Sequence, residues 1–230
     1  MKYQSIRKDC KEEIMSWLAR LYQSSVGKKS IMAVSGILLV LFIFTHLIGN
    51  STSFLGRTAF NSYAERLHSL GVLVYLFEIC LLLVFCIHIV TGVILYLENL
   101  KARPSRYNLD KDDGGRSWGS RTMPYTGLIM ILFIFVHLDN FHFTDKSVLV
   151  ADLVRNLLGN PPLAAFYVFS LLSLALHVSH GFWSMFQSLG LNHPKYNGMI
   201  KTGALAFSIL VGTVFILIPV LAVLSSGFLL

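Results

Sequence analysis

The chain has 230 residues, 54% of them hydrophobic and only 13% charged. That balance excludes an ordinary soluble domain of this size and points to a membrane protein. The net charge of +7 would suit nucleic acid, but the basic residues sit in alternate connecting segments rather than in one patch, which argues against that partner.

In chain order, residues 11–25 read KEEIMSWLARLYQSS and place Ile14, Trp17, Leu18 and Leu21 on one helical face. This predicts an amphipathic helix lying on the membrane surface. Gly27-Lys28-Lys29 marks entry into the bilayer, so residues 1–30 read as a cytoplasmic N-terminal segment and 31–230 as one transmembrane domain. Five stretches reach the roughly 20 apolar residues that a spanning helix needs, at about 31–49, 70–97, 123–140, 162–190 and 203–228. The first is not expected to be a cleaved signal, because thirty residues with acidic members precede it. The connection KARPSRYNLDKDDGGRSWGSR is polar and broken by Pro104 and Gly114-Gly115. SVLVADLVRNLLGNPP predicts a short external amphipathic helix stopped by Gly159 and Pro161-Pro162, and Pro219 is a candidate kink in the fifth span. Cys80 and Cys86, in the second span, are expected to be buried packing; with Cys10 they form no disulfide framework, and no C-x-x-C-H occurs for covalent haem attachment.

Lys and Arg number seven in residues 1–30, six in 98–122 and two in 191–201, against two each near 50–69 and 141–161. This asymmetry predicts a cytoplasmic N-terminus and an external C-terminus. The basic face is then a surface for anionic lipid or a docked partner.

SGILLVLFIFTH, Ser35 to His46, is echoed by TGLIMILFIFVH, Thr126 to His137, at an offset of 91. HIVTG at His88 is echoed by HVSHG at His177, at an offset of 89. Spans one and two therefore recur as spans three and four, in the same orientation, and the fifth stands alone. Counting about 1.5 Å per residue puts His46 and His137 roughly 24 and 21 Å above the inner edge, and His88 and His177 roughly 15–20 Å above it. Two pairs result, an outer His46–His137 and an inner His88–His177, each taking one residue from each half of the repeat.

An imidazole in hydrocarbon is costly without a partner. An iron shared by two imidazoles satisfies both, and bis-histidine haem b fits such a bundle. Zinc fits less well, since neither pair has an obvious third and fourth ligand. Gly92 and Gly181, one turn past His88 and His177, leave room for a porphyrin edge, and Gly36 and Gly127 are weaker candidates beside the inner haem. His180 lies three residues past His177; the repeat aligns His177 with His88, so His180 is expected to pack or to hydrogen-bond a propionate. His68, His142 and His193 read as solvated residues at or beyond the interfaces. Glu78, near the outer pair, is a candidate for proton exchange with a quinone, and Glu65, Arg66 and Arg57 are less specific candidates for quinone or propionate contact.

These residues resemble a known family, the cytochrome b membrane anchor of succinate:quinone oxidoreductases and quinol:fumarate reductases, in its single-anchor form with five spans and two haems. The resemblance rests on SSVGKKSIMAVSG, FTHLIGN, AFNSYAERL, HIVTG, FVHL and HVSHGFWSMFQSLGL, and covers nearly the whole chain from about Ser25. It implies an all-α integral membrane bundle around two b-type haems, with His46, His137, His88 and His177 as axial iron ligands. It also implies a respiratory complex in the cytoplasmic membrane of a prokaryote. A flavoprotein and an iron–sulfur subunit would dock on the cytoplasmic face, dicarboxylate chemistry would occur outside this chain, and a quinone, menaquinone by the dihaem type, would exchange electrons with it. Dimerisation of the whole complex is left open. Some fumarate-reducing members carry a glutamate two residues before the fourth-span ligand; here Ala175 stands there, so that proton route is not expected. Two other readings of the histidines stand beside this one: a proton-relay transporter, and a haem-free docking anchor.

Overall fold

The computed structural model describes residues 19–102, 118–144 and 147–224. Among them are seven α-helices and one 3-10 turn: α1 (Ser25–Ser51), the turn Thr52–Leu55, α2 (Arg57–His68), α3 (Val72–Lys101), α4 (Trp118–Phe141), α5 (Val150–Leu158), α6 (Pro161–Ser188) and α7 (Pro194–Leu224). Five segments are long and apolar enough to cross a membrane: Ser25–Leu55, Val72–Lys101, Arg121–Phe141, Pro161–Ser188 and Pro194–Leu224. The described residues form an all-helical, multi-span membrane protein.

Local chemistry sets the helix ends. The Ser24 hydroxyl accepts the N–H of Gly27 at 2.9 Å and caps α1. A short helical stretch precedes it, and a Cβ on Gly27 would collide with the Leu21 carbonyl, so only glycine allows that close approach. α1 thus begins ahead of Lys28 and Lys29, which are helical rather than a separate entry signal. Of the predicted surface helix at 11–25, residues 11–18 lie outside the described residues and 19–23 are helical. α5 is the predicted short amphipathic helix; Pro161 does not merely stop it but opens α6, behind an Asn160 cap that accepts from the Leu163 N–H at 3.3 Å. α6 closes on Gly190, whose φ of +69° lets the Leu191 N–H reach the Phe186 carbonyl at 2.9 Å.

α2 arises where the sequence reads only as a connection, because its low apolar content hides it from a span search. α7 begins at Pro194, well before the predicted span, because a helix can continue through polar residues at a membrane interface. Pro219 lies within α7 and is fully buried.

Lipid tails are as apolar as leucine, so close packing and polar contacts hold such helices together rather than the hydrophobic effect. The α6–α7 interface shows this. Small buried residues, Ser170 and Ser173 on α6 and Ala204, Ser208 and Gly212 on α7, let the backbones approach. The Ser208 hydroxyl donates to the Ala175 carbonyl at 2.7 Å, and a Cβ on Gly212 would lie 3.1 Å from that of Ala175. A glutamate at 175 would have no room in this contact.

The two repeat units pack as α1 on α3 and α4 on α6; α1 and α6 join them, and α7 lies against α6 and α1. This traces three sides of a square whose corners run α3, α1, α6, α4. Among the described residues α3 has substantial contact with α1 alone, and the α3–α4 side is open. Cys80 and Cys86 are accordingly exposed on α3, not buried as the sequence reading expected. At one end of the unit, Lys28, buried at the start of α1, pairs with Glu98 near the end of α3.

Candidate functional site

The first helix of each unit carries one histidine near its far end, and the second carries one nearer its middle. Square geometry puts α1 and α4 on one diagonal and α3 and α6 on the other; neither diagonal pair is in substantial helix contact. Across those diagonals the imidazoles meet. The rings of His46 and His137 have centroids 6.0 Å apart with planes at 87°, and those of His88 and His177 are 6.4 Å apart at 64°. All four side chains are half-buried.

His180 does not join the second pair. Its ring lies against the start of α4, where a Cβ on Gly119 would come within 2.7 Å of its Nδ1. Three residues separate it from His177, about 60° around α6, enough to turn it from the bundle axis to a neighbouring helix.

The contacts also set the height of each layer. The His88 Nδ1 lies 3.1 Å from the Ser35 hydroxyl, and the His177 Nδ1 lies 3.1 Å from that of Thr126. Ser35 precedes His46 by eleven residues, and Thr126 precedes His137 by the same number, so the two layers are about 16 Å apart along the helices. The depth count from sequence brings them to within several ångströms of each other. It took the helix ends as a common zero, whereas these two contacts fix one layer directly against residues of the other pair's helices.

The glycines divide. A Cβ on Gly36 would lie 3.6 Å from Cε1 of His88, and one on Gly127 would lie 3.7 Å from Cε1 of His177, so this repeated pair borders the second layer. Gly92 faces Met32 of α1, where a Cβ would sit 3.4 Å from its Cε, and so serves the α1–α3 contact. Gly181 faces open space.

Around the first layer, Phe42 stacks on His46 at 5.2 Å and meets Phe77 of α3 at 6.4 Å. Glu78, next to Phe77, is thus near the level of that layer. Its Oε1 lies 3.7 Å from Nδ1 of His142, a residue that the sequence reading left as solvated. Tyr167, beside His137, accepts from the Asn140 amide at 3.0 Å. Glu65 and Arg66 are exposed on α2, while Arg57 is committed to Asp152 of α5 at 2.6 Å.

The donor set defines what could be held. Two imidazoles on opposite sides of one metal, with metal–nitrogen bonds of about 2 Å, have ring centres about 6 Å apart. Both observed separations match that distance. Among the described residues no three His, Cys, Asp or Glu side chains converge. A metal held here must therefore bring its other ligands, as iron in a porphyrin does. The buried His137 Nδ1 has no hydrogen-bond partner, so this ring has not been spent on a hydrogen-bonded packing role at that nitrogen.

Two layers of facing imidazoles in a multi-span bundle are a donor set of the kind that a haem uses. Residues 29–110 match the family described as the succinate dehydrogenase/fumarate reductase transmembrane subunit. The succinate dehydrogenase cytochrome b558 subunit of Bacillus subtilis (strain 168) is 26% identical over 164 residues, which are 70% of this chain and 78% of that protein. No solved structure gives a significant match. The two similarities and the five helices support a likeness to the cytochrome b membrane-anchor subunits of succinate dehydrogenase and fumarate reductase.

Sequence reasoning missed Ser35 and Thr126. The signal was present, because a hydroxyl residue opens both copies of the quoted repeat.

Proposed function

We propose that this anchor binds two haems b, one between His46 and His137 and one between His88 and His177, and links a cytoplasmic iron–sulfur subunit to a membrane quinone. The observation that carries this reading is the pair of ring separations, 6.0 and 6.4 Å, across helices without substantial contact. Such groups would supply one-electron chemistry, with the axial ligands and their surroundings tuning it.

The chain's own residues would do the rest. The four imidazoles hold and orient, and Gly36 and Gly127 keep side chains away from the second layer. The basic N-terminal segment and the basic stretches at 98–122 and 191–201 belong to the cytoplasmic face, where the flavoprotein and iron–sulfur subunits dock and anionic lipid is attracted. At the other end, Glu78 exchanges protons with the quinone, a low-potential one such as menaquinone, with His142 beside it. Dicarboxylate chemistry belongs to the flavoprotein.

A reduced-minus-oxidised visible spectrum of membranes expressing the complex tests this reading. Two b-type components, with two haems per chain by extraction, are expected. An intact chain without b-type absorption would overturn it and favour a proton relay or a haem-free anchor.

A further inference from the structure

We propose that Ser35 and Thr126 are positioning residues that fix the tautomer of His88 and His177 and lower the potential of the iron between them; this rests on the dihaem reading above. The hydroxyl oxygens lie 3.1 Å from the two Nδ1 atoms. A hydroxyl has one proton, and carbonyls of its own helix lie within reach to accept it. The Ser35 Oγ lies 3.1 Å from the Met32 carbonyl, and the Thr126 Oγ1 lies 3.0 and 3.2 Å from the carbonyls of Thr122 and Met123. Each hydroxyl donates to its own helix and accepts from the ring. The ring proton is therefore on Nδ1, which leaves the Nε2 lone pair for the metal.

Three further observations support the assignment. Ser35 and Thr126 are only 4% and 5% exposed, so water does not replace either hydrogen bond. Both hydroxyls occur at the same place in the repeat, although one is serine and the other threonine. Eleven residues make three helical turns to within about 20°. Ser35 and His46 therefore lie on one face of α1, and Thr126 and His137 on one face of α4. Each first helix of a unit delivers a ligand to one layer and a hydrogen-bond acceptor to the other. The His46–His137 layer differs, since Nδ1 of His137 has no partner.

Accepting a proton from Nδ1 makes the imidazole a stronger donor to iron, which favours the ferric state. Removing the acceptor should raise the midpoint potential of that haem alone. The test is an optical redox titration of the intact complex with Ser35→Ala, Thr126→Val, the double variant, and the hydroxyl-preserving Ser35→Thr and Thr126→Ser. The component belonging to His88 and His177 is the one lost in His88→Ala.

With two haems retained, that component should shift upward in the hydroxyl-free variants, most in the double variant, and return in the conservative ones. The other component should not move. No shift, or an equal shift of both, overturns the proposal. Should Ser35→Ala lose the haem, retention in Ser35→Thr supports the hydroxyl's role, and loss in both overturns it. A wild-type complex without haem would instead sink the dihaem reading itself.

Discussion

The imidazoles of His46 and His137 face one another at 6.0 Å although α1 and α4 have no substantial helix contact. His88 and His177 repeat that relationship on the other diagonal at 6.4 Å. A pair of polar rings meeting on the axis of a membrane bundle, with neither hydrogen-bonded to the other, is costly unless something between them satisfies both. The arrangement converts two sequence repeats into two sites at separate heights, each needing both halves of the chain.

Single substitutions should therefore act pairwise. His46→Ala and His137→Ala should each remove the same spectral component, and His88→Ala and His177→Ala the other, halving haem per chain in every case. His180→Gln should leave both, because that ring packs against Gly119 rather than His88. Pyridine haemochrome content and low-temperature difference spectra report the outcome; a loss common to His46→Ala and His88→Ala alone would contradict the diagonal pairing.

The glycines beside the second layer should show a graded response. An alanine at Gly36 or Gly127 meets Cε1 of the neighbouring ring at ordinary contact distance, 3.6 or 3.7 Å. Gly36→Ala and Gly127→Ala should thus retain both haems and stay within about 1 kcal/mol of the parent in stability. Gly36→Leu and Gly127→Leu should displace the ring and lose the His88–His177 haem, with the other kept. Haem content per chain distinguishes these cases, and a leucine variant with two normal haems would contradict the placement.

The Lys28–Glu98 pair ties the first turn of α1 to the last turns of α3. Glu98→Gln leaves a buried ammonium without its counter-charge and should cost about 1–3 kcal/mol, a figure kept low because Glu98 is half exposed. The double variant Lys28→Met with Glu98→Gln removes both charges and should recover most of that loss. Thermal melting of the complex in detergent checks the order: single variant lowest, double variant close to the parent. A double variant no better than Glu98→Gln would show that the pair is not what joins these ends.

Much of this molecule was legible without coordinates, and the reason is local. Hydropathy is a property of a short segment, so five spans could be counted, and the cost of an imidazole in lipid singled out four histidines. The repeat then paired them, since equivalent positions in two copies share depth. Other features depend on neighbours that no segment records. The amphipathic α2 and the early start of α7 escaped a search for apolar runs. Cys80 and Cys86 were misjudged because, among the described residues, α3 has substantial contact with one helix alone, which its own composition does not reveal.

The sequence by itself determined the number of spans, the twofold internal copy and the residues able to act as ligands, because side-chain chemistry and helical periodicity are written along the chain. Only the tertiary structure decided that His180 turns toward Gly119, that Ser35 and Thr126 meet the opposite layer, and that the layers stand about 16 Å apart. Periodicity gives a residue its height and face on one helix. How that helix is turned and shifted against its neighbours is set by the packing of all of them together.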